Sequence, residues 1–261
     1  MHSSEYFRIE KYEKSHFWYR AMEELALNLL EKYRGITRIS TLKNADIPLM
    51  ILDAGCGTGG MTQKLERLGQ VTGIDINPVA LNYARKKNIK ALKKASVCDL
   101  PFDNNFFDLV VSLDVLYHKM VTDDKKALSE FYRVLKPNGL VLIRVPAFEF
   151  LRGAHDITVE TRHRYTADEL KEKIEYVGFR IEKITYANML LSIPLFVKRL
   201  FERRPAFGGV NKRGHSDTFL LPTLLNTFFY WYLRFENSLL NYINFPIGSS
   251  LIVVAKKLPE K

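Results

Sequence analysis

The sequence predicts an α/β fold: a doubly wound seven-stranded sheet with an N-terminal helix ahead of it and a helical insert between its last two strands. Three observations carry that expectation. An apolar run, Leu49 to Asp53, leads into a glycine-rich turn, Gly55 to Gly60, and then into a helix beginning at Met61. Further short apolar runs alternate with stretches of helical spacing, the signature of repeated βα units. One of those runs, Phe107 to Leu113, is almost continuously apolar, as expected of a strand buried on both faces. With 261 residues, 47% of them hydrophobic, the chain can fill one large core, or one core with an elaborated lid.

Each element has its own local warrant. Tyr19, Met22, Leu25, Leu29 and Tyr33 recur at helical spacing, with Gly35 as the stop. Arg38 to Ile47 reads as a polar connection into the first strand. The helix from Met61 to Leu68 is followed by a second strand, Gln70 to Ile76, which carries Asp75 near its end. Asn77-Pro78 supplies an N-cap and a proline at the first helical position for a helix running to about Lys87. Ala91 to Val97 is the third strand, ahead of Cys98-Asp99-Leu100-Pro101. After the fourth strand, Phe107 to Leu113, a helix spans about Asp123 to Leu135. The turn Lys136-Pro137-Asn138-Gly139 then leads to the fifth strand, Leu140 to Val145. Thr166-Ala167-Asp168-Glu169 has the form of a capping box for a helix ending before Gly178. Phe179 to Tyr186 and Ser250 to Lys256 are the last two strands. The expected division is therefore a main domain, 1–186 and 249–261, with 187–248 as a helical insert or lid.

Composition bounds the setting. Two isolated cysteines, Cys56 and Cys98, offer neither a disulfide framework nor zinc spacing, which points to a reducing, cytoplasmic compartment. No basic flank followed by an apolar run marks the N-terminus as a signal peptide. The net charge is +10, and residues 187–261 hold ten Lys/Arg against four Asp/Glu. A basic face suits phosphate, nucleic acid or an anionic membrane surface, and it also serves plain solubility. The histidines are too scattered to propose a metal.

Two ligands compete for the glycine turn. Gly55, Gly57 and Gly60 satisfy G-x-G-x-x-G, with Asp75 about twenty residues further on, as a dinucleotide site requires. Asp53 argues against it, because a carboxylate at the strand end would repel a pyrophosphate. It suits a ligand that carries an ammonium there. S-adenosylmethionine has an ammonium, a carboxylate for the helix N-terminus and a ribose for Asp75. Here the sequence resembles the class I S-adenosylmethionine-dependent methyltransferases, whose first motif, an acidic residue then G-x-G-x-G, matches Asp53, Gly55, Gly57 and Gly59.

The resemblance is strongest from about Leu49 to Val145. It implies a cofactor set of Asp53, Gly55, Cys56, Gly57, Thr58 and Gly59 at the turn, and Asp75, Ile76 and Asn77 at the ribose. It further implies Cys98, Asp99 and Leu100 at the adenine, and Leu113 and Asp114 after the fourth strand. Arg20, inside the aromatic stretch Ser15-His16-Phe17-Trp18-Tyr19, is the candidate for the cofactor carboxylate. In-line methyl transfer mainly needs a positioned acceptor and excluded water, with a base only where the acceptor must lose a proton. His118, at the mouth of the fourth strand, is the candidate base or positioning group. After the fifth strand, His155, Arg162, Arg164 and Tyr165 form a candidate grip for a carboxylate, sugar or phosphate on the acceptor.

The insert is the chief departure from a minimal family member. Leu221, Leu224, Phe228, Tyr232, Phe235, Leu239 and Tyr242 form an apolar stripe at helical spacing, in a region where Lys198, Arg199, Arg203, Arg204, Lys212 and Arg213 are interleaved with aromatics. The uncharged run Thr218 to Leu233 is too short to span a bilayer. A lid over an apolar acceptor, a peripheral membrane contact and an oligomer contact all fit. The expected activity is methyl transfer to a small-molecule, lipid or glycan-precursor acceptor. The alternatives are a nucleic-acid methyltransferase and a non-catalytic cofactor-binding module. The first is disfavoured because no Asn/Asp-Pro-Pro-Tyr/Phe motif follows the fourth strand.

Overall fold

The computed structural model describes residues 1, 3–34, 48–202 and 221–259. The stop at Gly35, the connection 38–47, and Arg203, Arg204, Lys212 and Arg213 lie outside the described residues. The chain begins with α1 (Ser3–Tyr12) and α2 (Phe17–Arg34). It continues through β1 (Leu49–Ala54), α3 (Gly60–Leu65), β2 (Gly69–Asp75), α4 (Pro78–Arg85), β3 (Ala91–Lys94), β4 (Phe107–Leu113), α5 (Asp124–Val134) and β5 (Leu135–Pro146). After a short 3₁₀ turn come α6 (Ala154–Thr158), α7 (Ala167–Val177), β6 (Phe179–Ala187), α8 (Met189–Glu202), α9 (Thr223–Leu239) and β7 (Ser250–Lys257).

The seven strands lie in the order β3-β2-β1-β4-β5-β7-β6, parallel except that β7 runs antiparallel to both β5 and β6. The order reverses between β1 and β4, the place where an open α/β sheet leaves a crevice at its carboxyl edge. Ile51, Leu52, Leu109, Val110, Val111, Leu142 and Ile143 are completely buried at the centre of the sheet, which is why these runs read as continuously apolar.

Local differences from the expected elements have simple causes. Lys136 to Gly139 do not precede β5 but bulge within it. Leu135 pairs with Phe107 and Leu140 with Leu109, with Asn138 in a left-handed conformation. β3 stops at Lys94 because the chain turns at Ser96, whose carbonyl accepts the Asp99 amide. Only half of the expected capping box forms at α7. Thr166 accepts the Glu169 amide, while the Glu169 carboxylate is drawn to His163 and Lys173.

The apolar stripe along α9, expected to make a lid, membrane or oligomer contact, points outward at Leu224, Phe228 and Phe235, with Tyr242 beyond the helix equally exposed. The inward face combines the buried Tyr230, Leu233 and Leu240 with polar side chains stitched to their neighbours. Asn226 accepts the Phe17 amide and donates to the Ser15 carbonyl, Tyr230 donates to Glu24, and Asn237 donates to the Ala21 carbonyl. Glu236 accepts the amides of Met189 and Leu190, the orphan donors at the start of α8. Glu236→Ala should therefore destabilise the protein by about 1–2 kcal/mol, the usual worth of a helix N-cap. Equilibrium denaturation read by far-ultraviolet circular dichroism measures it.

Candidate active site

β1 ends in the buried Asp53, and the turn after it is fixed by backbone bonds to β2. The amides of Gly55 and Cys56 both donate to the Ile74 carbonyl at 2.8 Å. Gly57 has φ +54°, and no atom lies within 4 Å of where a Cβ would sit, so the backbone here faces open space. Asp75 ties three elements together. One carboxylate oxygen accepts the Gly57 amide at 3.0 Å and the other accepts the Asn77 amide at 2.8 Å, while Asn77 caps α4 through Val79.

Above this edge lies a cleft of about 750 Å³. Around the glycine turn it is lined by Glu13, Glu23, Asp53 and Asp75. Glu13 accepts from the Thr58 hydroxyl at 2.7 Å and pairs with Lys87; Glu23 pairs with Lys64. Burial pushes the Asp53 carboxyl up to about 7; the Thr62 hydroxyl opposes this and nearby Asp75 adds to it. Asp75 and Glu23 are also raised, chiefly by burial. Elsewhere the lining is largely apolar, with Val121, Val159, Leu191, Pro194, Leu195 and Phe229, and carries Arg144 and Arg164 paired with Asp114 and Asp156, together with Lys198 and Arg199.

Twelve of the expected site residues line this cleft: Asp53, Gly55, Cys56, Gly57, Thr58, Asp75, Ile76, Leu113, Asp114, His118, His155 and Arg164. The others are used differently. Gly59 N-caps α3 in a left-handed conformation and Asn77 is the α4 cap. Arg20 points away from the cleft and stacks on Tyr230 of α9, its guanidinium carbon 3.9 Å from the ring centre. Cys98, Asp99 and Leu100 are displaced by the turn at Ser96, because the Leu100 amide is held by Glu130 on α5. Ala95, Ser96 and Val97 face the cleft in their place.

Arg162 and Tyr165 are likewise structural. The Tyr165 hydroxyl donates to Asp124 at 2.8 Å and to the Leu116 carbonyl at 3.1 Å, and Lys173 and Arg162 complete the Asp124 cluster. Burial alone would raise the Asp124 carboxyl, yet its bonds from Lys173 and Tyr165 hold it below the ordinary value. Arg164 lines the cleft while locked to Asp156 and the Ala147 carbonyl.

His118 sits in the cleft with its basicity reduced. Burial, and then the chain's amino group, bring its pKa down to about 4. Its Nδ1 lies 3.1 Å from the Met120 amide and its Nε2 2.8 Å from the chain's amino group, so both ring nitrogens are engaged by donors. That arrangement disfavours adding a proton to the ring.

Sequence reasoning did not identify the wall contributed by α1, although Tyr6, Ile9 and Glu13 share one helical face and all line the cleft. It also passed over Arg144 on β5. The Nε and Nη2 of Arg144 grip Asp114, Trp18 lies 5.0 Å from its guanidinium carbon, and Nη1 is buried with no partner. Asp114, Phe148 and Asn188, at the ends of β4, β5 and β6, all have φ near +60°. Of these, Phe148 is the bulky residue for which such a backbone is unusual.

A mostly parallel sheet with a glycine turn at its switch point is the class of fold that binds a nucleotide-type cofactor at that turn. Residues 52–143 match the family model described as a methyltransferase domain. The ubiquinone/menaquinone biosynthesis C-methyltransferase of Haemophilus ducreyi is 33% identical over 181 residues, covering 55% of this chain and 68% of the relative. Its counterpart in Psychromonas ingrahamii is 38% identical over 121 residues, 41% of this chain and 47% of the relative. The chain thus spans about half the length of the latter relative. A putative sarcosine dimethylglycine methyltransferase from Galdieria sulphuraria shares the fold at TM-score 0.57 and 15% identity, over 91% of this chain and 85% of that one. This chain belongs to the S-adenosylmethionine-dependent methyltransferases.

Two outcomes follow. Tyr165→Phe should cost about 1–3 kcal/mol in chemical denaturation, because it strips a donor from a buried carboxylate, while leaving cofactor affinity unchanged. For Asp53, whose folded pKa is raised, stability is fullest below about pH 4, falls as pH rises towards 7, and carries the whole penalty above 7, on the order of 4 kcal/mol. Asp53→Asn removes that penalty. Without ligand it should melt higher than the parent at pH 8, with the difference vanishing near pH 4, as thermal denaturation across pH will show.

Proposed function

We propose that the chain transfers a methyl group from S-adenosylmethionine to a small acceptor with an apolar, lipid-like body and an oxygen-bearing or anionic group. The observation that carries this reading is the pair Asp53 and Asp75 beside the glycine turn of the cleft, with an apolar wall elsewhere in it that also carries the ion pairs Arg144–Asp114 and Arg164–Asp156. A cationic ligand answers the first half, and the open space at Gly57 admits it close to the backbone. The Psychromonas and Haemophilus relatives, C-methyltransferases of ubiquinone/menaquinone biosynthesis, support a quinone-type acceptor for the second.

S-adenosylmethionine supplies, when bound, a methyl group on an already activated sulfonium. The chain's own residues bind and orient. Asp75 keeps free lone pairs after satisfying two amides and would accept the ribose hydroxyls. Asp53, with the first turn of α3, would hold the amino-acid end. Ala95 to Val97 would flank the base in the place expected of Cys98 to Leu100. Arg144 and Arg164 would favour an oxygen on the acceptor that develops negative charge. Residues 187–248 act in this reading as a separate unit covering the acceptor end, its α8 forming the wall and its outer side contacting a membrane peripherally.

Calorimetry with S-adenosylmethionine, S-adenosylhomocysteine and NAD tests the reading. The first two should bind and NAD should not. Asp75→Ala should weaken binding by about a hundredfold, as expected for the loss of charge-assisted bonds. Because a cation favours ionised Asp53, affinity should fall by up to about tenfold per pH unit below 7, with proton release on binding. Binding of NAD alone would overturn the proposal, as would failure to form S-adenosylhomocysteine with any quinone-type, lipid or glycan-precursor acceptor.

A further inference from the structure

α9 is apolar on its outer side as well as in part on its inner one. The inner face buries Leu233 and Leu240 and carries Asn226, Tyr230, Glu236 and Asn237, each hydrogen-bonded to a neighbouring element. The face in solvent carries Leu224, Phe228, Trp231 and Phe235, exposed by 86%, 62%, 57% and 64%. The polar bonds fix the rotation of the helix, so the apolar face cannot roll inward without stranding buried donors and acceptors. α8 repeats the theme. Leu191, Pro194 and Leu195 line the cleft, while Leu190, Ile193, Phe196 and Val197 are exposed. A helix apolar on all sides is ordinarily buried on all sides, and this one is covered on the cleft side. Contiguous apolar surface on this scale marks an interaction site.

We propose that the outer faces of α8 and α9 rest on an anionic lipid bilayer surface, and that α8 hands an amphipathic acceptor from that surface into the cleft. Charge selects the occupant. Residues 187–248 hold seven Lys/Arg and three Asp/Glu in sequence; among the described ones Lys198 and Arg199 line the cleft, Glu236 is buried at the α8 cap, and Arg234 stands half-exposed on the outer side of α9. A second copy packed face to face would set one basic insert against another; anionic lipid headgroups neutralise both. Trp231, with the Arg234 guanidinium carbon 4.9 Å from its ring centre, joins an amphipathic aromatic to a cation, as residues at a headgroup boundary do. Continuity gives the contact its use. The exposed and cleft-lining residues of α8 alternate on one helix, so an apolar acceptor passing it leaves the bilayer for the active site without crossing water. Among the described residues no helix is long and apolar enough to cross a membrane, so the contact lies in the plane of the surface. The handover of acceptor rests on the methyltransferase reading; the docking does not.

The test is flotation of the full chain with phosphatidylcholine vesicles, alone and mixed with phosphatidylglycerol, alongside tryptophan fluorescence. The chain should float with the mixed vesicles and its emission should shift to the blue. Phe228→Ser with Phe235→Ser should weaken partitioning by about tenfold or more, as loss of buried apolar area requires. S-adenosylmethionine binding in solution, measured on the same protein by calorimetry, should be unaltered in the double variant. A monomer that floats with neither vesicle overturns the docking even if the cofactor binds. A stable dimer that buries Trp231 and ignores vesicles overturns it in favour of a second copy. Vesicle binding without cofactor binding would leave the docking standing and remove the methyltransferase reading beneath the handover.

Discussion

Two carboxylates held in one cleft constrain everything around them. Asp53 is nearly completely buried and accepts a hydrogen bond from the Thr62 hydroxyl at 2.6 Å. Asp75 is satisfied by the amides of Gly57 and Asn77. Taking carboxylates out of water is costly, and placing two near one another costs more. The glycine turn, the α4 cap and the register of β1 against β2 are arranged to hold them where a cation can offset that cost. The remaining acids of this end, Glu13 and Glu23, are paired with Lys87 and Lys64, which leaves Asp53 and Asp75 as the carboxylates facing the ligand.

The acceptor end follows a different rule. Its basic groups sit within an apolar wall, and each is anchored before any ligand arrives. Asp114 grips Arg144, Asp156 and the Ala147 carbonyl hold Arg164, and Arg199 donates to the Leu151 carbonyl. Anchored cations of this kind lose little side-chain freedom when they meet a charged group, the condition for electrostatic preorganisation. Phe148, whose positive φ is unusual for a bulky residue, lies on the same edge.

Helices α8 and α9 serve both ends of the molecule. They wall the cleft with Leu191, Leu195 and Phe229 and present bare apolar surface outside. Their mutual fixation through Glu236, and the fixation of α9 to α2 through Asn226 and Asn237, makes the exposure a consequence of hydrogen bonding rather than of loose packing. An amphipathic stripe in a sequence reveals that a helix has two faces. Which face points inward depends on where its polar groups find partners.

The sequence by itself determined the seven strands of the sheet and the glycine turn with Asp53 and Asp75; the spatial order of the strands came with the structure. The strands and the turn depend on local patterns: apolar runs of strand length, a turn that needs positive φ, and an acid at a fixed position beside it. It could not determine which charged residues would face the cleft. Arg20, Arg162 and Tyr165 read as ligand contacts, yet Tyr230, Asp124 and the Leu116 carbonyl claim them; each of those partners lies far away in the chain. Cys98 to Leu100 were turned aside by Glu130 of α5, and Arg144 was drawn to the cleft by Asp114. The orientation of α9 was decided by Phe17, Ala21 and Glu24 of the N-terminal segment, more than two hundred residues away. Periodicity is a property of neighbours in the chain. The pairing of buried polar groups is a property of neighbours in space, and only the tertiary structure supplies those.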